Sequence, residues 1–361
     1  PVAEPDDPAP AAARIPPEEL LRFTSAVLER IGVPSDRARG TAHVLVEADL
    51  RGIRSHGVVG GTGLEAILQK VEAGGIHPGA RPEVERHENS VLLHMDARGG
   101  LGHPAALDAV ELVALTASYW GYGKMTIRNS THFGAAGVYS EALAERGLAG
   151  RVTSTGTAWM IPFGGSQKRL GTNPIAWSIP YPGGVITIDM ATSQRALSPA
   201  LKAAQEGGEL PPDYLLGPDG EEVRRPGSVE EVKACSVLPV GGRSFGYKGS
   251  GLAVLIELDA ALGGGSVGRI PSLAPGPEGY VAQTVEAWRV DSLFPREEAM
   301  RRLGEAVEDL RRHGGPEMLL PGERERRCRE AYRKEGIPFS EAEVRRLREV
   351  GERFGVAWRQ P

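Results

Sequence analysis

Apolar positions along this chain recur mostly at helical spacing, interrupted by glycines and by short β-like runs. Pro16-Pro17-Glu18-Glu19 opens an amphipathic helix whose apolar side is Leu20, Leu21, Phe23, Val27 and Leu28, and Gly32 ends it. Ser35 is placed to cap the next helix, which the spacing carries to about residue 50 with Ala42, Val44, Leu45 and Val46 inward. Further helices are expected over 64–73, 104–120, 134–145 and 250–262, and three more at about 295–312, 323–335 and 340–354 close the chain. Strand candidates are 91–95, 124–128, 150–155, 174–179 and 185–190. Residues 206–230, rich in Gly, Pro and acidic side chains, read as a surface excursion. The order predicts a mixed α/β protein without the regular βαβ alternation of a Rossmann domain.

Bulk properties narrow the function more than the fold. The 361 residues leave room for two or three domains, and 40% apolar with 25% charged residues describe an ordinary globular protein. A net charge of −5 with no basic stripe argues against nucleic acid as a partner. The arginines near the C-terminus, such as Arg301, Arg302, Arg311 and Arg312, are interleaved with Glu and read as solvated helix faces. Cys235 and Cys328 make neither a disulfide framework nor a metal-ligand spacing, which suits a reducing cytoplasm. No apolar run has the length of a membrane span. The first residues are Pro, Ala and acid without a signal-peptide pattern, and residues 1–15 are expected to be a disordered leader.

Three blocks carry the chemistry. Arg51-Gly52-Ile53-Arg54-Ser55-His56-Gly57 closes a helix with a hydroxyl, an imidazole and two guanidinium groups. Ser55-His56 fits a proton relay, because a hydroxyl passes on what an imidazole gives or takes near neutral pH; it fits a helix-capping histidine as well. The dipole at that helix end would favour the protonated form of His56. Asn129-Ser130-Thr131-His132-Phe133-Gly134-Ala135-Ala136-Gly137 places His132 on a strand-to-helix turn, where outward N–H groups suit an anion or an amide. Gly171-Thr172-Asn173-Pro174 is the third block. Asp189, ending a strand, would either orient His56 or simply cap a helix. Lys248 reads as a phosphate-binding cation or a solvated lysine.

Other site types fit poorly. Gly121-Tyr122-Gly123 lacks the third glycine of a dinucleotide fingerprint, and Gly249-Ser250-Gly251 is only part of a hydrolase elbow. The eight histidines show no i, i+4 pair and no acidic cluster beside them, so no metal site is expected.

Together these blocks, with Pro162-Phe163-Gly164-Gly165, Asp189-Met190-Ala191-Thr192-Ser193, Gly246-Tyr247-Lys248-Gly249, Leu320-Pro321-Gly322-Glu323 and Glu335-Gly336-Ile337-Pro338, resemble the type-2 malate/L-lactate dehydrogenase family. That family includes ureidoglycolate and sulfolactate dehydrogenases and cyclic-imine carboxylate reductases. The resemblance implies a homodimeric NAD- or NADP-dependent oxidoreductase of non-Rossmann fold. A helical, substrate-side domain would be built from 16–85 and 286–361, and a mixed-sheet nicotinamide domain from 86–285. Hydride would pass to or from a C–OH/C=O or C–NH/C=N carbon of a small 2-hydroxy- or 2-keto-acid-like substrate. Ser55, His56 and Asp189 would form the relay, with His132 touching substrate or nicotinamide. Phe133, Gly134, Ala135, Ala136, Thr172, Asn173, Pro174, Met190, Ala191, Thr192, Lys248 and Gly249 would line the cofactor.

The substrate end departs from the family pattern. The usual carboxylate-clamping arginine, five residues after the serine, is here Gly60, and the usual tyrosine beyond it is Leu64. Arg54 is the cation at hand to replace it, with Thr172 as a second substrate contact. A relative that binds nucleotide without turnover is the alternative.

Overall fold

The structure is a computed structural model that describes residues 12–86, 88–263, 281–315 and 317–358. The chain begins with β1 (Ala13–Ile15), α1 (Pro17–Arg30), α2 (Ser35–Leu50), a one-turn 3-10 helix (Arg54–His56), α3 (Leu64–Glu72), β2 (Glu83–Arg86) and β3 (Leu92–Asp96). It continues through α4 (Gly102–Trp120), β4 (Tyr122–Ser130), α5 (Gly137–Ala144), β5 (Leu148–Ser154), β6 (Ile175–Tyr181), β7 (Gly184–Met190) and α6 (Ser198–Glu206). Then come β8 (Leu215–Leu216), α7 (Val229–Ala234), β9 (Ser236–Val237), α8 (Gly242–Phe245) and α9 (Tyr247–Leu262). The last elements are β10 (Val281–Arg289), α10 (Arg296–Gly314), α11 (Glu323–Glu335), β11 (Ile337–Phe339) and α12 (Glu341–Phe354).

Seven strands make one mixed sheet in the order β2-β3-β4-β10-β5-β6-β7. Only β3 and β4 run parallel, so this is the expected mixed sheet and not a doubly wound one. Helices α4 and α5 cover one face. Alanines 106, 109 and 117 of α4 let it lie close against Met125, Ile127, Val285 and Ala287 of the central strands.

The central strand β10 escaped the sequence pattern. Residues 282–287 are all buried, Gln283, Thr284 and Glu286 among them, so no alternation marks a wet face. It also runs across residue 286, where the domain boundary was expected. The edge strand β2 was missed for the opposite reason, since all four of its residues are exposed.

A second core joins the two ends of the chain. Leu20, Phe23 and Val27 of α1 and Leu45 of α2 pack with Phe339 of β11 and Leu347 of α12. Strand β1 pairs with β11, Ala13 opposite Phe339 and Ile15 opposite Ile337. Residues 13–15 of the expected leader are therefore strand, while 1–11 lie outside the described residues. Ser35 is the first helical residue of α2, not its cap; Pro34 holds that position and no side chain bonds there. A third, smaller core gathers Met160, Leu170, Leu210, Leu215, Val232 and Val237. The segment read as a surface excursion thus supplies part of a core. Among the described residues no helix is long and apolar enough to cross a membrane.

The strand register brings the chemistry-bearing blocks to one end of the sheet. Val281 opposes Ser130 and Gln283 opposes Ser154. Thr153 opposes Ile175, which in turn opposes Met190. Asp96, ending β3, pairs with Arg128 at the same end, just ahead of the start of α4.

Candidate active site

Ser55 and His56 sit on the single 3-10 turn after α2, and the Ser55 Oγ lies 2.9 Å from His56 Nδ1. A buried carboxylate shapes this turn. Asp49 Oδ2 accepts the Val58 N–H at 2.8 Å, and Gly57 passes so close to the carboxylate that a Cβ there would overlap it. Gly60 is equally constrained: a Cβ would come within 2.5 Å of the Arg54 carbonyl oxygen and 2.6 Å of the Ser55 carbonyl carbon. Among the described residues the His56 ring bonds to no carbonyl; its partners are Ser55 and the ring of His132, stacked at 5.4 Å between centroids and 24° between planes. The expected dipole effect on His56 is overridden. Burial disfavours the cation and lowers its pKa.

His132 follows β4 on a turn held from two sides. Thr131 accepts the Gly102 N–H on its hydroxyl and the Gln283 amide on its carbonyl, and Gly134 takes a positive φ of 82°. His132 Nδ1 accepts the Gly134 N–H at 3.2 Å, which leaves the ring proton on Nε2. Burial first, then the neighbouring His56, His103 and Lys70, holds His132 well below the usual histidine range. His132 is therefore a neutral donor.

Behind it stands His103, with ring centroids 6.2 Å apart. His103 is 1% exposed, neither ring nitrogen has a hydrogen-bond partner, and burial brings its pKa down to about 3. The sequence reading missed this residue. Its only signal was a histidine after the glycine-rich Gly99-Gly100-Leu101-Gly102, at the start of a helix.

Asp189 took the plainer of its two expected roles. Its Oδ2 accepts the Gly137 N–H at 2.7 Å, capping α5, and it has no bond to His56 within this chain. It is open to solvent but surrounded by protein on its other sides, and the resulting desolvation raises its pKa to about 6 against the Gly137 bond. Arg51 and Glu141 are the charges nearest in effect. Arg51 ties α2 to α5 by pairing with both Glu47 and Glu141.

Arg54, expected as the substrate cation, is already paired within the chain. Its Nη1 meets Asp49 at 2.7 Å, its Nη2 meets Glu343 at 2.7 Å, and the guanidinium lies 4.3 Å over the Phe339 ring. Both faces of its charge are already used.

The expected cofactor-lining blocks are tied to one another. The Thr192 N–H and hydroxyl both donate to the Thr172 carbonyl, at 2.8 and 3.0 Å. Asn173 is a structural hub, accepting the Gly156 N–H and donating to Ala253 O and Glu257 on α9. Gly249 packs where a Cβ would come within 2.7 Å of Thr192 O. Phe133 is buried against Tyr139, with ring planes 4° apart. Met190 and Lys248 are exposed, Ala191 and Pro174 half-buried, and Gly134, Ala135 and Ala136 buried.

Comparison with known proteins decides what this assembly is. The sequence profile described as malate/L-lactate dehydrogenase matches residues 15–348. The chain belongs to the malate/L-lactate dehydrogenase family. As a member it is an NAD(P)-dependent oxidoreductase. It is similar to a malate dehydrogenase of Pyrococcus abyssi, 33% identical over 352 residues, covering 95% of each chain. It is also similar to a (2R)-3-sulfolactate dehydrogenase (NADP(+)) of Chromohalobacter salexigens, 31% identical over 84% of this chain and 93% of that one. The solved structure of a delta1-piperideine-2-carboxylate reductase from Pseudomonas syringae superposes with a TM-score of 0.82 at 28% identity, covering 94% of this chain and 100% of the other.

A nicotinamide cofactor fits the family member described here. Among the described residues the N–H groups of Ala135 and Ala136, ahead of α5, bond to no other group. They lie at the positive end of that helix, where a carboxamide or phosphate oxygen is a suitable acceptor.

Proposed function

We propose that Ser55, His56 and His132 carry proton transfer for hydride exchange between NAD(P) and a small substrate bearing a C–OH/C=O or C–NH/C=N carbon. The observation that carries the reading is the Ser55–His56 hydrogen bond stacked on His132, at the sheet end where the expected cofactor blocks converge. The bound nicotinamide would supply the hydride at its C4. The 133–136 turn, Thr172-Asn173-Pro174, Met190-Ala191-Thr192 and Lys248-Gly249 would hold it. His132, as a neutral Nε2–H donor, polarises the substrate oxygen or nitrogen without adding a formal charge. Ser55 exchanges a proton with that atom, and His56 Nδ1 replaces or receives it. Asp189 caps α5 beside the cofactor turn and enters the relay only if a ligand or the partner subunit bridges it to His56.

The substrate end is distinctive. The turn excludes any side chain at Gly60, and Arg54 is neutralised by Asp49 and Glu343. Recognition at this turn therefore does not rest on a guanidinium–carboxylate fork, which supports a substrate diverging from simple 2-keto acids; Thr172 remains a proposed contact.

The apolar outer face of α9, with Leu252, Val254, Leu255, Leu258 and Leu262 exposed, supports a homodimer. Cys235 and Cys328 are not joined in a disulfide, in keeping with the cytoplasm, and the acidic net charge favours small-molecule over nucleic-acid partners.

Steady-state assays with NADH and NADPH across 2-keto acids, cyclic imine carboxylates and uncharged ketones test the reading. Turnover of an imine or neutral ketone above pyruvate and oxaloacetate is expected. Quenching of tryptophan fluorescence by NAD(P)H with no turnover across the panel would instead mark a relative that binds nucleotide without catalysis.

A further inference from the structure

We propose that Arg54 is a positioning residue: by bridging Asp49 to Glu343 it holds the Ser55–His56 turn in register with α12, so that proton transfer depends on how the end of the chain docks. The proposal rests on the reading of Ser55–His56 as the relay.

Three observations support it. Arg54, Ser55 and His56 are the three residues of one 3-10 turn, so fixing the Arg54 side chain fixes the backbone that aims the relay. Its two anchors come from opposite ends of the chain. Asp49, fully buried at the end of α2, also holds Val58 just past the relay. Glu343, 289 residues away in sequence from Arg54, cannot swing freely, because its Oε2 accepts the Ser340 N–H at 2.8 Å and the Ser340 hydroxyl at 3.0 Å in the capping box of α12. Phe339, the last residue of β11, then closes one face of the guanidinium.

The charge arithmetic explains why a neutral residue would not serve. Two carboxylates face one guanidinium, and Tyr332 also lies near enough to act on it. Removing the cation leaves Asp49 buried and facing Glu343 unpaired, so the turn gains a reason to move away. A lysine would restore charge but not the planar fork that reaches both partners.

Full-length Arg54→Met and Arg54→Lys variants test this by hydrogen exchange at the 55–63 amides, by NAD(P)H binding and by kcat and KM. In Arg54→Met, exchange over 55–63 is expected to quicken about tenfold or more as the turn loosens. Its kcat should fall by a similar factor while cofactor Kd stays within about twofold, and Arg54→Lys should recover part of the loss. A folded Arg54→Met with wild-type exchange and kcat overturns the proposal. So does a rise in KM for anionic substrates alone, which would make Arg54 a substrate cation. If Arg54→Met does not fold, Glu343→Ala is read the same way: unchanged exchange at 55–63, remote in sequence from 343, overturns the coupling. Absence of turnover in wild type would sink the oxidoreductase reading, and the exchange data would still decide this one.

Discussion

Placing even a methyl group at residue 60 should damage the fold, although the backbone there is ordinary. Gly60 does not take a positive φ, so an alanine meets no conformational penalty of its own. Its Cβ would instead stand 2.5 Å from the Arg54 carbonyl oxygen and 2.6 Å from the Ser55 carbonyl carbon. Both are backbone atoms of the turn that aims Ser55, so relief requires moving the turn itself. Overpacking of this kind costs roughly 1–3 kcal/mol. At roughly 2–4 °C per kcal/mol for a cooperative unit of this order, Gly60→Ala should lower Tm by about 2–12 °C. Gly61 is the control one residue away: a Cβ there meets only Ser198 Oγ, at 3.6 Å. Gly61→Ala should leave stability within about 0.5 kcal/mol or raise it slightly by stiffening the unfolded chain. Calorimetry on both variants, with kcat as a second readout, is the assay. Equal Tm for the two would refute the steric argument. The same geometry predicts that Gly60→Arg destabilises the turn and does not install a carboxylate clamp.

Two pH effects follow from the buried imidazoles. His103 is held near pKa 3 in the fold against 6.5 when free, so the unfolded chain binds the proton first and stability is lost as pH falls below 6.5. Between pH 7 and pH 5 this one group should remove about 2 kcal/mol, and urea unfolding of His103→Gln should show that much less acid sensitivity than wild type. Asp49 and Asp189, raised to about 6, act in the opposite direction but are common to both proteins. The depressed pKa of His56 makes it a resting base: oxidation should fade as pH drops through a value below 6.5, while reduction should strengthen there. His56→Ala should remove both limbs and lower kcat about 100-fold or more, measured beside unchanged cofactor binding. Limbs that persist in the variant would move the proton chemistry elsewhere.

Much of this was readable from the residues, and the rest failed for identifiable reasons. The first helix and the last showed clean apolar stripes and appear close to where the pattern put them. Ser55-His56 and His132 declared themselves by residue type and by their place after an element end. Burial reversed the charge expected of His56, because spacing along a chain carries no information on desolvation. Arg54 looked available since its two partners lie 5 and 289 residues away. Asp189 offered two roles of equal local plausibility, and only the position of the α5 N-terminus separates them. Strand β10 hid behind its buried polar residues, among them Glu286, to which Arg151 and Tyr122 donate.

The place of β10 also bears on how the chain can be made. Its neighbours β4 and β5 are complete by residue 154, yet the strand that joins them ends only at Arg289. During synthesis the two halves of the sheet must wait, with unpaired edges, for more than a third of the sequence to follow. Contacts that distant in the chain slow folding and lengthen exposure to wrong pairings. Any truncation that ends before residue 281 would leave a divided sheet, so an N-terminal fragment that holds the sheet together must run through β10.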